Sequence, residues 1–203
     1  AGAAVTPAPG GATSVAQGFI EKTAQHASAA AQETGVPARF ILGQAALESG
    51  WGAREIRGAG GAQSHNLFGI KAGKNWKGAV VEANTTEYVN GVPRRTLERF
   101  RAYGSYAEAF ADYAQLLKGN PRYAQVLSSA RDAESFANGM QRAGYATDPR
   151  YADKLARSGS LGLVFVPSEK LTGEVKMSHY GQNTTMHYPP QTTSCRMAFF
   201  AYE

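Results

Sequence analysis

Apolar side chains recur at helical spacing through much of the chain. The first such run covers 14–34 and ends in a Gly-Val-Pro sequence, which stops a helix. A second helix is predicted for 37–49, because proline suits the first helical position and Gly50 suits the left-handed position after the last. Gly43 inside this helix costs up to ~1 kcal/mol relative to alanine, so we expect another backbone to pass close by.

The pattern changes in the middle of the chain. Residues 51–78 are rich in glycine and have little periodicity, which is typical of a loop. Residues 79–88 and 94–103 favour strands, and the Asn90-Gly91 pair between them is a strong signal for a β-hairpin. Helical spacing then returns, so the hairpin forms a small lobe between helices. Further helices are predicted at 105–119, from 120 onwards, at 132–143 and at 148–159.

The two ends of the chain differ from this regular part. Residues 1–13 are rich in alanine, glycine and proline and carry no charge, so we predict a linker to a preceding domain. Residues 14–159 are the predicted folded domain, and 160–203 are an extension of unknown role in which 161–166 could be a strand. The extension contains three potential metal ligands, but no short ligand pair anchors them, so no metal site is predicted. They are His179, His187 and Cys195.

The charge of the chain is basic and uneven. The formal net charge is +5, and the whole excess lies in 1–160, since 161–203 contains three Lys or Arg and three Asp or Glu. A basic surface suits nucleic acid, a membrane surface or an anionic cell-wall polymer. The scattered cations and the absence of a recognised motif argue against nucleic acid. One cysteine excludes an internal disulfide framework, and no run approaches the roughly 20 apolar residues of a membrane span.

Glu48 is the strongest candidate for chemistry. Helical counting places it in line with Ile41 and Gln44, on or beside the apolar face of its helix. It also lies in the last turn, where the helix dipole disfavours a negative charge by a few tenths to ~1 kcal/mol. Both effects favour the neutral acid, and a carboxyl with a raised pKa is what a general acid in glycoside cleavage needs. The alternative from spacing alone is a side chain that bends out to water.

Glycoside cleavage usually needs a second group, and sugar rings stack on aromatic side chains. In the first predicted strand, Glu82 and Glu87 point to opposite faces, and either face could look into a cleft. An ordinary solvated carboxylate is the preferred interpretation of Glu82. The candidate aromatic platforms are Trp51, Phe68, Trp76, Tyr88 and Tyr145.

Five short motifs occur in a fixed order along 14–159. They are 44–51 (QAALESGW), 66–71 (NLFGIK), 86–88 (TEY), 100–103 (FRAY) and 144–149 (GYATDP). Together they resemble glycoside hydrolase family 73, the bacterial β-N-acetylglucosaminidases that cut peptidoglycan. The set is specific, whereas each motif alone would be weak.

The resemblance implies a lysozyme-like α+β fold, in which a mainly helical lobe and a small β-hairpin lobe flank a glycan cleft. It implies that Glu48 is the general acid and that Tyr145 is the functionally important tyrosine of the family. Glu87 matches the glutamate of the family's T-x-E-Y motif, so it is preferred to Glu82 as the second catalytic residue. The expected substrate-binding residues are Trp51, Asn66, Phe68, Trp76 and Tyr88.

The implied activity is hydrolysis of the β-1,4 bond after N-acetylglucosamine in peptidoglycan, without a metal or organic cofactor. Glu48 would protonate the leaving oxygen. Either Glu87 activates water, which gives inversion, or the substrate's acetamido group or Tyr145 assists at the anomeric carbon. Flagellar members of the family act in the periplasm and carry a preceding rod-assembly domain. Glycan strands and flagellar rod proteins are therefore the expected partners, the latter through a domain missing from this chain.

Two other functions stay open at this point. A lytic transglycosylase has a similar Glu-Ser helix but forms an anhydro sugar without a catalytic water. A non-catalytic glycan-binding or rod-assembly module needs no acid, so the joint presence of Glu48, Glu87 and Tyr145 argues against it.

Overall fold

The computed structural model describes residues 11–165, which form six α-helices, two short 3-10 turns and one two-stranded antiparallel sheet. No helix in this range is long and apolar enough to cross a membrane. The helices are α1 (Gly11–Thr34), α2 (Ala38–Ser49), α3 (Tyr106–Gly119), α4 (Ala124–Ser129), α5 (Ala133–Arg142) and α6 (Tyr151–Phe165). The strands are β1 (Val80–Val89) and β2 (Val92–Arg101).

Helix α2 lies between α1 and α6, and α5 packs on the other side of α6. Apolar side chains of α2, such as Phe40 and Ile41, are fully enclosed, and Phe40 stacks on Phe136 of α5 with ring centroids 5.7 Å apart. Helix α3 completes the core by packing against α1. As a result, the helix that carries Glu48 is largely enclosed, with nine of its twelve residues buried.

The contact between α2 and α6 depends on two glycines. A Cβ atom at Gly43 would lie 2.7 Å from both the Cα and the N atoms of Gly159, so the predicted close approach of another backbone is confirmed. The predicted helix end at Gly159 is wrong, because this glycine is a contact point inside α6 and the helix continues to Phe165. The strand suggested for 161–166 is wrong for the same reason over 161–165, where the chain is helical.

The predicted boundaries of the folded domain lie near the two ends of the described residues. Residues 11–13 belong to α1, although the sequence placed them in the linker. The remainder of the predicted linker and residues 166–203, including the three potential metal ligands of the extension, lie outside the described residues.

The predicted hairpin is confirmed, and its turn is tighter than expected. Asn90 and Gly91 have φ values of 52° and 77°, the left-handed pair that a two-residue turn requires. Pairing therefore begins at once with Val89 opposite Val92, so β2 starts two residues before the predicted residue 94.

The base of the hairpin is fastened to the helical lobe by a buried ion pair. Arg101, at the end of β2, donates from Nη1 to both carboxylate oxygens of Asp112 in α3, each at 3.0 Å. The hydroxyl of Tyr103 donates to the same carboxylate at 2.6 Å. These bonds fix where the hairpin leaves the helices and hence where the cleft between the lobes begins.

Candidate active site

The end of α2 is shaped by a sharp turn immediately after Glu48. Gly50, Trp51 and Gly52 all have positive φ, at 57°, 58° and 80°. The Ser49 hydroxyl accepts a hydrogen bond from the Gly52 amide at 2.9 Å, which closes the turn. A bulky residue in this backbone region is uncommon, and such strain often marks functional sites. The turn stops the helix directly beyond the candidate acid.

The Glu48 carboxyl group lies in a largely apolar site at the end of this helix. The residue is half-buried, and its Oε2 atom is enclosed and has no hydrogen-bond partner among the described residues. Its Oε1 atom accepts a hydrogen bond from the Tyr151 hydroxyl at 2.8 Å. Burial raises the pKa of Glu48 well above its usual range, and the Tyr151 hydrogen bond only partly opposes this effect. The neutral acid is therefore favoured.

Three buried tyrosines surround this carboxyl group: Tyr113 from α3, Tyr145 from the segment before α6, and Tyr151 from α6. Burial raises the pKa of each hydroxyl, and the charge of Glu48 adds to the effect at all three. The rings of Tyr145 and Tyr151 are stacked, with centroids 6.0 Å apart. At neutral pH these hydroxyls are neutral hydrogen-bond donors.

Tyr145 is enclosed in the core beside Glu48. Its hydroxyl donates to the backbone carbonyl of Phe68 at 2.8 Å, and its ring has no exposed surface. The ring therefore offers no face to a sugar in this structure, although the sequence made it a candidate platform. Its position beside the acid keeps it a candidate for assisting the reaction.

Asn66 and Phe68 are buried and hold the loop between the lobes in place. The Asn66 side chain donates to the carbonyls of Ile70 and Arg101 at 2.9 and 2.8 Å, and its oxygen accepts from the Ile70 amide at 3.1 Å. Phe68 stacks on Tyr113 with centroids 4.1 Å apart. Both side chains thus shape the site from within, and neither is open to a substrate in this structure.

Glu87 is buried on the inner face of β1, whereas Glu82 is exposed on the outer face. Glu87 forms an ion pair with Lys71, which also reaches Glu98 of β2 at 3.3 Å. Lys71 can do so because 70–72 run beside β2, with the Ala72 amide donating to the Arg99 carbonyl at 2.9 Å. The preferred second carboxylate therefore faces the interior of the hairpin lobe and is compensated by a cation.

The remaining aromatic candidates are half-buried and do not form a single platform. Tyr88 follows Glu87 on β1, so its side chain leaves the strand on the opposite face. Trp51 meets Phe19 edge-on at 5.8 Å and lines a groove of about 410 Å³ beside α1. Trp76 is covered on one face by the Arg101 guanidinium at 4.5 Å. Trp51 therefore opens onto a groove.

The two lobes also touch close to the site. The backbone amide of Tyr88 donates to the Thr147 hydroxyl at 3.3 Å, two residues after Tyr145. The end of β1 that carries Glu87 therefore meets the segment that lies beside Glu48. This contact joins the strand that carries Glu87 to the segment between Tyr145 and α6.

Known proteins resemble this chain in sequence. The sequence model of the family described as mannosyl-glycoprotein endo-beta-N-acetylglucosaminidase matches residues 24–158, more than half of the chain. The chain belongs to this glucosaminidase family. It is 54% identical over 137 residues to the peptidoglycan hydrolase FlgJ of Escherichia coli O157:H7, an alignment that covers 68% of this chain and 44% of that protein. The glucosaminidase domain thus spans less than half the length of this relative.

Solved structures agree with the family assignment. A peptidoglycan hydrolase mutant from Sphingomonas sp. A1 has a TM-score of 0.68 and 52% identity, covering 73% of this chain and 98% of that chain. The C-terminally truncated glycoside hydrolase domain of Salmonella typhimurium FlgJ has a TM-score of 0.61 and 46% identity, covering 73% and 98%. The expected lysozyme-like α+β fold of a glycoside hydrolase is confirmed.

The glucosaminidase domain places one carboxyl in an apolar cage and the other beside a cation. Burial favours the neutral form of the Glu48 carboxyl, whereas the Glu87 carboxylate forms an ion pair with Lys71. The described residues contain no cluster of three or more His, Cys, Asp or Glu side chains that could hold a metal ion.

Several residues of the site were not found by sequence reasoning. The Tyr151 hydroxyl donates to the candidate acid, the Tyr113 hydroxyl donates to Gln44 in the same helix, and Lys71 is the partner of the second carboxylate. Tyr151 had a usable signal, since it stands in the first turn of a helix predicted to follow Asp148-Pro149, next to a motif already singled out. Lys71 is the last residue of the 66–71 motif, and no role was predicted for it from the sequence.

Proposed function

We propose that the glucosaminidase domain hydrolyses the β-1,4 bond after N-acetylglucosamine in peptidoglycan. The observation that carries this proposal is the enclosed Glu48 carboxyl, whose burial raises its pKa and favours the protonated form, and whose Oε2 atom makes no hydrogen bond to another described residue. The names of the Escherichia coli and Sphingomonas relatives, both peptidoglycan hydrolases, support the choice of substrate.

In this mechanism Glu48 protonates the oxygen of the leaving sugar as the glycosidic bond breaks. Positive charge develops at the anomeric carbon, and the Glu48 carboxylate left behind is held at Oε1 by the Tyr151 hydroxyl. Glu87 is the proposed base that accepts a proton from the attacking water. Its ion pair with Lys71 compensates the carboxylate until that step. The acetamido group of the substrate or Tyr145 is the alternative source of assistance at the anomeric carbon.

Glycan entry requires the cleft to widen, because Glu48 Oε2 is enclosed in this structure. The contact between the Tyr88 amide and Thr147 is the bridge that an entering strand would displace. Hydrogen exchange at the Tyr88 amide should therefore speed up when a glycan fragment binds. Equal or slower exchange in the complex would reject this route of entry.

Mass spectrometry of the fragments released from purified peptidoglycan tests the activity. Wild-type protein should release fragments with reducing N-acetylglucosamine ends, and Glu48→Gln should release none. Anhydro-muramyl ends would instead identify a lytic transglycosylase. Glycan binding by both proteins without any cleavage would support a non-catalytic module.

The role of Glu87 needs its own comparison, for which Glu82 is a matched control on the same strand. Glu87→Gln should lower kcat about 100-fold or more if Glu87 is the base, while the exposed Glu82→Gln should keep the wild-type rate. Proton NMR of the first product should show inversion at the anomeric carbon. Retention would exclude direct attack of a water activated by Glu87 and would favour the acetamido route.

We further propose that the full-length protein acts in the periplasm and opens the cell wall for the flagellar rod. The similarity to FlgJ supports this role, and a preceding rod-assembly domain would supply the contact with rod proteins. A strain whose chromosomal copy carries Glu48→Gln should export the protein to the periplasm but lose swimming motility. Normal motility in that strain would reject the flagellar role without affecting the proposed activity.

A further inference from the structure

A chain of buried hydrogen bonds ends at the Glu48 carboxyl group. The Tyr113 hydroxyl of α3 donates to Oε1 of Gln44 in α2. The Gln44 Nε2 atom donates to the Tyr151 hydroxyl at 2.9 Å, and that hydroxyl donates to Glu48 Oε1 at 2.8 Å. Tyr113, Gln44 and Tyr151 have no exposed surface. The chain therefore joins three buried side chains, one each from α3, α2 and α6.

The orientation of the Gln44 amide sets the direction of the chain. A tyrosine hydroxyl has one hydrogen to donate, and a glutamine amide has one accepting oxygen and one donating nitrogen. Because Tyr113 donates to the amide oxygen, the amide nitrogen of Gln44 must face Tyr151. The Tyr151 oxygen is then occupied as an acceptor, and its one hydrogen goes to Glu48. Every donor in the chain points towards the carboxyl group.

The direction of the chain decides which carboxyl oxygen carries the acidic proton. Glu48 Oε1 accepts from Tyr151 in both charge states, so the proton of the neutral acid must reside on Oε2. If the Gln44 amide were turned over, Tyr151 would donate to its oxygen instead. Glu48 would then place its proton on Oε1 and donate it to Tyr151, away from the substrate. A general acid with its proton on that oxygen cannot protonate a leaving group.

We propose that Tyr113, Gln44 and Tyr151 are positioning residues that hold the acidic proton of Glu48 on Oε2, the oxygen that must face the scissile bond. This inference rests on the glycosidase activity proposed above. None of the three residues needs to touch the substrate, since they act through Glu48. Without the chain, the carboxyl group can rotate or protonate on the wrong oxygen, and part of the enzyme is unproductive at any moment.

The titratable groups around Glu48 make the pH dependence a specific readout. In the described part of the chain, the charge of Glu48 raises the pKa of tyrosines from three elements packed around it: Tyr113 of α3, Tyr145 of the segment before α6, and Tyr151 of α6. Burial is the larger influence on the pKa of Glu48 and raises it, while the Tyr151 hydrogen bond lowers it. Removal of the Tyr151 hydroxyl should therefore raise this pKa further.

The test compares Tyr151→Phe with Tyr123→Phe in the intact chain. Both substitutions remove one hydroxyl from a fully buried ring, but the Tyr123 hydroxyl has no hydrogen-bond partner among the described residues. Tyr151→Phe should lower kcat about 10- to 100-fold with little change in KM, the range expected for one lost hydrogen bond to a reacting group. It should also move the alkaline limb of the pH–rate profile to higher pH. Tyr123→Phe should leave both quantities at the wild-type value.

A second variant tests whether the whole hydrogen-bond chain matters or only the bond between Tyr151 and Glu48. Tyr113→Phe keeps the bond between Tyr151 and Glu48 but removes the donor that fixes the Gln44 amide. It should lower kcat several-fold and shift the same pH limb, whereas a local contact alone predicts no change. This variant also decides the matter if Tyr151→Phe does not fold, as judged by circular dichroism.

The outcomes distinguish this inference from the proposed function. An inactive wild-type protein would overturn the proposed glycosidase activity itself. An active wild type, with the folded Tyr151→Phe variant matching Tyr123→Phe in rate and pH profile, would overturn the positioning chain alone. The chain would also be rejected if a folded Tyr113→Phe variant kept the wild-type kcat and pH profile.

Discussion

The contact between Gly43 and Gly159 sets the distance between α2 and α6, and Gly43→Ala is the sharpest way to change it. The added Cβ would lie 2.7 Å from two backbone atoms of Gly159, about 0.7 Å short of the 3.4 Å at which ordinary contact begins. No flexible side chain can move away, because the atoms it meets belong to the backbone of α6. The two helices must therefore separate or shear by a comparable amount.

The cost of this change should fall more on activity than on stability. Overpacking of this kind costs about 1–3 kcal/mol, of which about 1 kcal/mol is returned by the better helix propensity of alanine. We expect a net loss of up to about 2 kcal/mol in the free energy of unfolding. A shift of α6 would stretch the hydrogen bond from Tyr151 to Glu48 from 2.8 Å to beyond the ~3.0 Å limit for a good O–H···O bond. We expect kcat to fall about 10- to 100-fold.

Gly18→Ala is the matched control, since it makes the same substitution inside α1 where a Cβ meets nothing within 4 Å. It should stabilise the domain by about 0.5–1 kcal/mol and leave kcat unchanged. Thermal unfolding followed by circular dichroism and the rate of peptidoglycan cleavage measure both effects. If Gly43→Ala gained stability like Gly18→Ala and kept the wild-type kcat, the glycine contact would not position the acid.

Three further changes test other parts of the structure. Glu48→Gln should stabilise the domain at pH 8 but not at pH 4. The folded-state pKa of Glu48 is raised, so the wild-type domain loses stability as the pH rises through that value and Glu48 ionises, whereas glutamine has no charge to gain. An equal gain at both pH values in thermal unfolding would contradict this. Lys71→Met should lower the free energy of unfolding by about 3 kcal/mol at pH 7, because it leaves Glu87 without its cation. The double mutant with Glu87→Gln should recover part of that loss in urea unfolding, and no recovery would show that the pair is uncoupled. Asp132→Ala should lower the urea midpoint by removing the cap that accepts from the Ser135 amide at 2.7 Å, and an unchanged urea midpoint would show that the cap is dispensable.

The features that the sequence predicted well are those with a local cause. The turn at Asn90 and Gly91 follows from which residues tolerate positive φ, and the end of α2 at Gly50 follows from the same rule. Gly43 was interpretable because a glycine inside a helix has few explanations other than a close neighbour. Its partner Gly159 was misread as a helix end, since a glycine late in a helical pattern fits both roles and only the packed structure distinguishes them.

The features that the sequence did not predict depend on contacts between distant segments. Tyr151 lies 103 residues from Glu48, and Tyr113 lies 69 residues from Gln44, so no local pattern links them. The burial of Phe68 and Tyr145 was unpredictable for a different reason. Aromatic side chains line grooves and fill cores alike, and residue type alone does not separate the two environments.

The choice of tyrosine as the partner of Glu48 follows from two conflicting demands on a general acid. The carboxyl must be held in one orientation, yet it must stay protonated near neutral pH. A lysine or arginine would hold it firmly but would lower its pKa by about 1–3 units and discharge the acid. The Tyr151 hydroxyl orients Glu48 while burial, the larger effect, keeps its pKa high. Lys71 is placed instead beside Glu87, where its ammonium group pairs with the carboxylate that is the proposed base.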